Sequence, residues 1–322
     1  MLKLQKEKIK KILVVSLTNI GDVILTLPVI DILLRDFPSA KISVIIGPKA
    51  ATLFSQNPFL DKIYIFNKNQ PLLKTIKWVL WLRKQEFDMV IDLRNTAIPF
   101  FLNPPYRTSL FSEKVNAHKK EKHLNRLSTL MAVGGNPPDK ISIYVGKEDK
   151  AYVDTLLGDN NLVSKTICLI SPGAASEAKR WGENNFAETV LYLEKNKKLN
   201  VAFVGDEHDR EIAEKINKLS GIGAVNFCGR TTLLQLAELI KRSSLVLAND
   251  SAVMHLASYL DVPILAIFGP TDPFLYGPWG KGGVYLSDKS NCAPCLNRKS
   301  KSPHICLDNI TVKKVIEALP YK

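Results

Sequence analysis

The chain has 322 residues, of which 46% are hydrophobic and 23% are charged. These shares are ordinary for a globular protein, and they exclude a disordered chain, a collagen-like repeat and a small scaffold held by disulfides. The length fits two domains of about 150 residues each, and the formal net charge of +13 indicates an anionic partner: nucleic acid, a phosphorylated ligand or an anionic membrane surface.

The first half of the chain alternates between short apolar runs and segments with helical spacing. Runs rich in β-branched residues predict buried strands at 12–15, 42–46, 63–66 and 88–93. Helical spacing predicts helices at 22–36 and 72–84. Residues 96–122 fit neither period, so we expect a long loop with helical pieces there.

A second series of the same kind begins near Lys165. Strands are predicted at 166–171, 200–204, 224–227, 245–248 and 263–268. One helix is predicted at 183–195 and a second one ends at 219. Three more helices are predicted at 232–242, 251–260 and 311–319. This alternation is typical of parallel sheets covered on both faces, and hence of two doubly wound domains with a cleft between them. Ligands of such sheets bind at the carboxyl ends of the strands, where the loops are the candidate sites.

No membrane span and no disulfide framework are expected. No stretch approaches the roughly 18 unbroken apolar residues that a spanning helix needs. The lysine-rich start of the chain lacks the apolar core and the cleavage site of a secretory signal. The five cysteines are odd in number, and Cys168 and Cys228 lie in apolar runs. We therefore expect a cytoplasmic protein that contacts, at most, the inner face of the cytoplasmic membrane.

The loop after the first strand, residues 16–22, contains Gly21 and Asp22. Gly21 permits a sharp turn of the backbone. Asp22 fits either an N-cap carboxylate that only stabilises the helix or a general base. A dinucleotide fingerprint needs three glycines where this loop has one, so NAD binding is not expected.

The loop at 171–182 begins the second series. Its small residues allow backbone N–H groups to approach an anion, and Lys179 and Arg180 add positive charge where a phosphate would lie. The alternative is a solvated loop with Trp181 as a packing anchor. In the loop at 204–209, Glu207 is a candidate for ribose hydroxyls, although acidic residues also favour a first helical turn.

The segment 248–257 gives the strongest single signal. Asp250 and Ser251 precede a helix whose positive N-terminus is suited to an anion. His255 lies one turn further on the same face, where it is either a site residue or a packed core histidine. In the turn at 268–273, Thr271 either reaches a phosphate or only serves the turn.

Together these loops resemble those of the family 9 glycosyltransferases, the ADP-heptose:lipopolysaccharide heptosyltransferases. The shared motifs follow one another in the family's order: Gly21-Asp22-Val23 with Leu27-Pro28, Pro172-Gly173-Ala174 with Lys179-Arg180-Trp181, then 249–257, then 268–273. Two further groups, Asp92-Leu93-Arg94 and His123-x-x-Arg126, resemble features of the family's first domain.

The resemblance implies a GT-B fold, in which two Rossmann-like domains with doubly wound parallel sheets face a central cleft. The domains would span 1–155 and 160–305, and a C-terminal segment, 306–322, would return to the first. It also implies inverting, metal-independent transfer, without a cofactor, of a heptose-type sugar. The donor would be a nucleoside-diphosphate sugar of the ADP-heptose type, and the acceptor a lipopolysaccharide core or a related anionic glycolipid or saccharide.

The resemblance also assigns roles to residues. Asp22 would deprotonate the acceptor hydroxyl, and Lys179 would stabilise the departing diphosphate. The donor-binding residues would be Gly173, Ser176, Lys179, Arg180, Glu207, Asp250, Ser251, His255 and Thr271. A phosphorylated acceptor needs cations, and the candidates are Arg94, Arg107, Lys119, Lys120 and Arg126, unless they only form a solvated basic surface.

The cysteine-rich tail resembles one found in part of this family. Structural zinc needs about four nitrogen or sulfur ligands, and the tail offers Cys292, Cys295, His304 and Cys306. A redox-sensitive cysteine pair and an inert loop are the other interpretations.

Two other functions remain open from the residues. A non-enzymatic protein that binds an anion or nucleic acid would interleave stacking aromatics with lysine and arginine, whereas the aromatics here follow hydrophobic patterns, so no nucleic-acid partner is expected. Another nucleotide-sugar enzyme, such as a transferase for a different sugar or an epimerase, would share the same two-domain framework.

Overall fold

The computed structural model describes residues 4–16, 18–67, 69–109, 116–134, 139, 141–280, 282–288 and 305–320. The chain divides between Tyr144 and Val145 into two units, and each is built around its own parallel sheet. The predicted first domain ended at 155. The boundary comes earlier because the helix Lys147–Asp159 packs against the helix Leu233–Lys241 of the second unit.

The first unit contains a five-stranded sheet in which every strand pair is parallel. Its strands are β1 (Lys11–Val15), β2 (Lys41–Ile46), β3 (Lys62–Ile65), β4 (Met89–Asp92) and β5 (Tyr106–Arg107). The spatial order is β3-β2-β1-β4-β5. The chain builds outwards from β1 to β3 and then returns to place β4 on the other side of β1. The topological switch point of this sheet therefore lies between β1 and β4.

The helices of the first unit are α1 (Ile20–Ile24), α2 (Leu27–Asp36), α3 (Leu72–Arg83), α4 (Ile98–Leu102) and α5 (Lys119–Ser128). The single helix predicted at 22–36 is interrupted at Leu25 and Thr26. Thr26 Oγ1 donates to the carbonyl of Val23 at 2.6 Å, and Pro28 has no N–H with which to continue the helical hydrogen bonds. The two helices are consequently separate.

The second unit contains a six-stranded sheet, again parallel throughout. Its strands are β6 (Ile167–Ser171), β7 (Asn200–Phe203), β8 (Val225–Asn226), β9 (Leu245–Asn249), β10 (Ile264–Phe268) and β11 (Gly283–Ser287). The order β11-β10-β9-β6-β7-β8 places the switch point between β6 and β9. The short β5 and the edge strand β11 are the strands that the sequence pattern missed.

The helices of the second unit are α6 (Lys147–Asp159), α7 (Glu183–Lys195), α8 (Arg210–Ser220), α9 (Leu233–Lys241), α10 (Ala252–Tyr259), α11 (Pro273–Tyr276), α12 (Ile305–Asp308) and α13 (Val312–Glu317). The bounds of α7 coincide with the prediction. Among the described residues, no helix combines the length and the apolar character needed to cross a bilayer.

The C-terminal helix α13 is grouped with the second unit, and the return of 306–322 to the first domain stays a prediction. It packs against α7, and Val315 is fully buried in the same apolar core as Trp181. The indole Nε1 of Trp181 also donates to the carbonyl of Ile310 at 2.8 Å. This apolar face and the indole hydrogen bond attach α13 to the core of the second unit.

Candidate active site

The predicted donor-binding residues lie at the carboxyl ends of four adjacent strands of the second sheet. The loops after β10, β9, β6 and β7 follow one another across the sheet in that order. These loops contain Thr271, Asp250 with Ser251, Gly173 with Ser176, Lys179 and Arg180, and Glu207. Since β6 and β9 flank the switch point, the motifs at 172–182 and 249–251 emerge where doubly wound sheets bind ligands.

An ion pair joins the two loops at this switch point. Lys179 Nζ lies 2.7 Å from Asp250 Oδ2. The Asp250 side chain is 6% exposed, whereas the Lys179 side chain retains 31% exposure. The backbone N–H of Asp250 donates to the carbonyl of Ile267, which fixes the loop against β10. The lysine is thus held in place by a buried carboxylate while part of its side chain remains exposed.

Asn249, which the sequence did not single out as a site residue, holds the loop after β6. Its side chain is fully buried, its Nδ2 donates to the carbonyl of Pro172 at 2.7 Å, and its Oδ1 accepts from the N–H of Trp181 at 3.1 Å. The guanidinium of Arg180 donates to the carbonyl of Ala174 at 3.2 and 3.1 Å. Asn249 and Arg180 therefore shape the loop that presents Lys179.

The N-terminus of α10 adjoins the ion pair. Ser251 occupies the N-cap position, but its side chain makes no capping hydrogen bond, and its Oγ is buried with no hydrogen-bond partner among the described residues. His255 is 5% exposed, and its ring lies 5.8 Å from that of Trp279. A buried hydroxyl at a positive helix end is a candidate donor to a bound anion.

Glu207, the predicted ribose ligand, points to a different partner. It is exposed and forms an ion pair with Arg210 at 3.0 Å, and its carboxylate lies against Gly229, where a Cβ would be 2.1 Å from Glu207 Oε2. The ribose role of Glu207 therefore stays a prediction.

Asp209, two residues further, is the carboxylate that approaches the loop after β6. A Cβ built on Gly173 would lie 1.8 Å from Asp209 Oδ1, and one on Gly205 would lie 2.3 Å from Oδ2. The same carboxylate accepts from the N–H of Asp206 at 3.1 Å in a capping box. Burial, reinforced by the charge of Asp206, raises the pKa of Asp209. Only glycine at 173 and 205 permits this contact.

We expect Gly173→Ala to lower the free energy of unfolding by about 1 kcal/mol, because the new methyl group displaces Asp209 from its capping box. The measurement is the midpoint of thermal unfolding. Gly134→Ala is the control, since a Cβ at this exposed position would meet nothing within 4 Å. Equal midpoints for the two variants would contradict the prediction.

Thr271 lies in the turn between β10 and α11 and is half-buried. Asp272 caps α11 by accepting from the N–H of Phe274 at 3.1 Å. A Cβ on Gly269 would lie 2.9 Å from the carbonyl oxygen of Ala178, so this turn abuts the loop after β6. Thr271 thus belongs to the same group of loops as Lys179.

Asp22 lies on the first unit, in the short helix that follows β1 beside the switch point. It is the third residue of α1 and is half-buried. The N-cap position predicted as one possibility for it is occupied by Asn19, whose Nδ2 donates to Asp22 Oδ2 at 3.0 Å. The N-cap interpretation is therefore wrong, and the structure instead shows an oriented carboxylate.

Arg126 is buried rather than presented to solvent. Its Nε donates to the carbonyl of Asp92, and its Nη2 donates to the carbonyl of Ser109 at 2.6 Å. The carboxylate of Asp92 accepts from the N–H groups of Arg94 and Thr96 at 2.8 and 2.5 Å. Burial raises the pKa of Asp92, against the lowering effect of these hydrogen bonds. Arg126 and Asp92 together fold the loop after β4, beside the switch point of the first sheet.

The other predicted acceptor cations lie on separate elements of the first unit. Arg94 lies over the ring of Phe66 at 5.6 Å. Arg107, in β5, donates to Asn103 Oδ1 at 2.6 Å and lies over a phenylalanine ring. Lys119 and Lys120 begin α5, and Lys120 is paired with the adjacent Glu121 at 2.9 Å. Their role towards an acceptor stays a prediction.

His123 introduces a pH dependence on the first unit. Burial, together with the charges of Lys119, Arg126 and His118, lowers the pKa of His123 to about 4. When the pKa of a base is lower in the folded than in the unfolded protein, the unfolded state binds more protons between these two pKa values. The free energy of unfolding therefore decreases as the pH falls from the unfolded-state pKa to the folded-state pKa. The loss between pH 6.5 and pH 4 amounts to at most about 3 kcal/mol.

We expect His123→Gln to reduce this acid sensitivity. The measurement is the midpoint of urea unfolding at pH 7 and pH 4.5 for the wild type and the variant. His208→Gln, which removes an exposed imidazole from the second unit, should keep the wild-type sensitivity. If the midpoints of His123→Gln at pH 7 and pH 4.5 differ as much as those of the wild type, other groups cause the loss of stability in acid.

The cysteine-rich tail is mostly outside the described residues, which include neither Cys292, Cys295 nor His304. Cys306, on α12, is 2% exposed within the apolar core of the second unit. Within the described ranges, no three His, Cys, Asp or Glu side chains are grouped to hold a metal. A metal site formed by the tail stays a prediction.

Comparisons with known proteins identify the family of this chain. The model of glycosyltransferase family 9 (heptosyltransferase) matches residues 77–306. The lipooligosaccharide heptosyltransferase 2 of Campylobacter jejuni is 26% identical over 313 residues, which cover 93% of this chain and 94% of that protein.

Two solved structures share the fold. A family 9 glycosyl transferase from Veillonella parvula has a TM-score of 0.78 at 22% identity and covers 96% of this chain and 95% of its own. The Escherichia coli ADP-heptose LPS heptosyltransferase II has a TM-score of 0.72 at 22% identity, with coverage of 96% and 97%. With the two doubly wound sheets, these matches confirm the predicted GT-B class. The family match spans well over half of the chain, and this protein therefore belongs to glycosyltransferase family 9, the heptosyltransferase family.

Proposed function

We propose that this glycosyltransferase moves a heptose from ADP-heptose to a lipopolysaccharide core or a related anionic glycolipid or saccharide, with inversion and without a metal. The observation that carries the proposal is the Lys179–Asp250 ion pair at the switch point of the second sheet, next to the N-terminus of α10. The ADP-heptose donor is supported by the name of the Escherichia coli relative.

The donor's diphosphate gains negative charge as the sugar leaves. A positive group already held at that position lowers the barrier because no reorganisation is needed during the reaction. Lys179 supplies an ammonium fixed by Asp250, and the N-terminus of α10 supplies the positive end of a helix dipole. The buried hydroxyl of Ser251 offers a further donor. Protein groups thus fill the role that a divalent cation has in other glycosyl transfers.

The acceptor hydroxyl needs a base, and Asp22 is the candidate. The proton of the hydroxyl passes to the carboxylate while the acceptor oxygen forms the bond to the anomeric carbon and the bond to the diphosphate breaks. Attack opposite to the leaving group in one step inverts the anomeric configuration. The hydrogen bond from Asn19 orients the Asp22 carboxylate for this transfer.

The proposal is tested with a panel of donors and a chelator. Thermal unfolding and nucleotide release are followed with ADP-heptose, ADP-glucose, UDP-glucose and GDP-mannose, with and without EDTA, and with a heptose-free lipopolysaccharide acceptor. We expect stabilisation by ADP-heptose, which at a hundredfold excess over Kd is worth about 2.7 kcal/mol, and release of ADP that requires the acceptor and tolerates EDTA.

Each arm of this test addresses one element of the proposal. A response only to another nucleotide sugar would replace the donor. Release abolished by EDTA would exclude the metal-free mechanism, and the absence of any donor response would overturn the whole proposal.

A further inference from the structure

Helix α3 of the first unit has apolar side chains on the face that points away from the core. Its inner face packs through the fully buried Leu82 and the partly buried Trp78 and Val79. On the outer face, Leu72 and Leu73 are both 74% exposed, and Leu80 is 55% exposed. A helix on a globular surface needs only the inner apolar face, so the outer one indicates a partner.

The exposed residues form a continuous stripe. At about 100° per residue, positions 72, 73, 76 and 80 fall within roughly 100° of the helix circumference, and Leu82 lies outside that arc. Ile76, in the middle of the stripe, is 46% exposed. The stripe therefore runs along more than two turns of α3.

Helix α4 extends this apolar area. It packs against α3 and exposes both Phe100 and Phe101, each to 58%. Trp81, at the end of α3, is 46% exposed although its ring contacts Tyr64 edge-on at 5.7 Å. We call the outer side chains of α3 with those of α4 the α3–α4 surface. Leucine and aromatic side chains of this kind are the ones that insert at the boundary between lipid headgroups and acyl chains.

The charges around the stripe are all positive. Lys74, Lys77 and Arg83 lie on α3 and Lys84 follows it, all four exposed, and no acidic residue occurs between positions 69 and 84. Projected on the helix, Arg83 falls within the arc of the apolar stripe at its C-terminal end, and Lys77 and Lys84 lie along one side of the stripe. A helix that exposes both apolar side chains and cations is suited to an anionic lipid surface.

We propose that the α3–α4 surface docks on a bilayer that contains anionic phospholipid. The apolar stripe would enter the headgroup region while the lysines and Arg83 contact lipid phosphates. A second copy of the chain fits less well, because a two-fold pairing of α3 with itself would bring the same cations together in a chain of net charge +13. The inference does not depend on the proposed function, since it involves neither Asp22 nor any donor-side residue.

The test uses the full chain and sedimentation with vesicles. One set of vesicles is phosphatidylcholine alone, and the other is phosphatidylcholine mixed with phosphatidylglycerol. We expect binding to the mixed vesicles that weakens with salt. Leu73→Gln with Leu80→Gln should reduce the partition coefficient at least about tenfold, because two leucine side chains no longer enter the lipid. Lys74→Glu with Lys77→Glu should reduce it by a similar factor, since four units of charge change.

Matched controls are placed on exposed positions of the second unit. Leu191→Gln with Leu219→Gln and Lys197→Glu with Lys218→Glu make the same chemical changes there, and both should bind vesicles like the wild type. All four variants should keep the wild-type thermal midpoint and its shift with the donor, which separates this test from the proposed function.

Three results would overturn the inference. The first is no binding to the mixed vesicles. The second is binding that the α3 variants reduce no more than their controls do. The third is self-association of the wild type, or capture of an acidic protein in place of lipid, that Leu73→Gln with Leu80→Gln abolishes.

Discussion

Replacing Asp22 with Asn should lower kcat for sugar transfer by about 10³-fold, within the range that general bases contribute. The amide keeps the shape of the side chain, and it can still contact Asn19, but it no longer accepts a proton. Since Asp22 lies on the first unit and the donor loops on the second, the shift of the thermal midpoint with ADP-heptose should be unchanged. The measurement is ADP release under saturating donor and acceptor.

Two companion variants sharpen this test. Asp61→Asn changes an exposed aspartate of the same unit, before β3, and should retain full activity. Asn19→Ala removes the hydrogen bond that orients Asp22 and should cost about tenfold in kcat, as expected for a hydrogen bond to a charged group. Full activity of Asp22→Asn would exclude Asp22 as the base. A parallel loss of donor-induced stabilisation would instead indicate a structural role.

Local patterns were sufficient to predict most of the sheets and the loops of the candidate site. A strand buried on both faces produces a run such as Ile12 to Val15, and the polar residues that follow it must lie at the carboxyl end of the sheet. The same logic predicts that the loops of Lys179 and Asp250 lie at one edge of the second sheet. Their ion pair across the switch point is the physical outcome of two strands, distant in sequence, that lie side by side.

The sequence was less informative where a residue's role depends on contacts distant in the chain. Asn249 was not predicted as a site residue, yet its amide connects Pro172 with Trp181, which the pairing of β9 with β6 brings within reach. Arg126 looked like a ligand for an acceptor, but burial and two backbone carbonyls give it a structural task.

The packing partner of the last helix and the roles of the acidic residues in the loop at 204–209 were harder to predict for the same reason. An apolar turn such as the one around Val315 shows that a helix must pack, but not on which partner. Likewise, Glu207 and Asp209 are equivalent acidic residues in the sequence. Because Gly173 and Gly205 have no Cβ atoms, there is room for the carboxylate of Asp209, rather than that of Glu207, against the loop after β6.

Replacing Lys179 with Met should affect both stability and catalysis, and the two effects can be separated. The variant leaves Asp250, which is 6% exposed, without its cation. Because the lysine itself is partly exposed, we expect a loss of about 2 kcal/mol in the free energy of unfolding, below the value for a fully buried pair. Loss of a fixed charge at the departing diphosphate should lower kcat by about 10²- to 10³-fold.

The double variant Lys179→Met with Asp250→Asn distinguishes the two roles. It removes both charges of the pair, so the free energy of unfolding should return close to the wild-type value, whereas kcat should stay at the level of Lys179→Met. Recovery of activity along with stability would mean that Lys179 serves only to neutralise Asp250. If stability recovers and activity does not, the ammonium acts on the substrate, because the folded site is then intact and only its positive charge is missing.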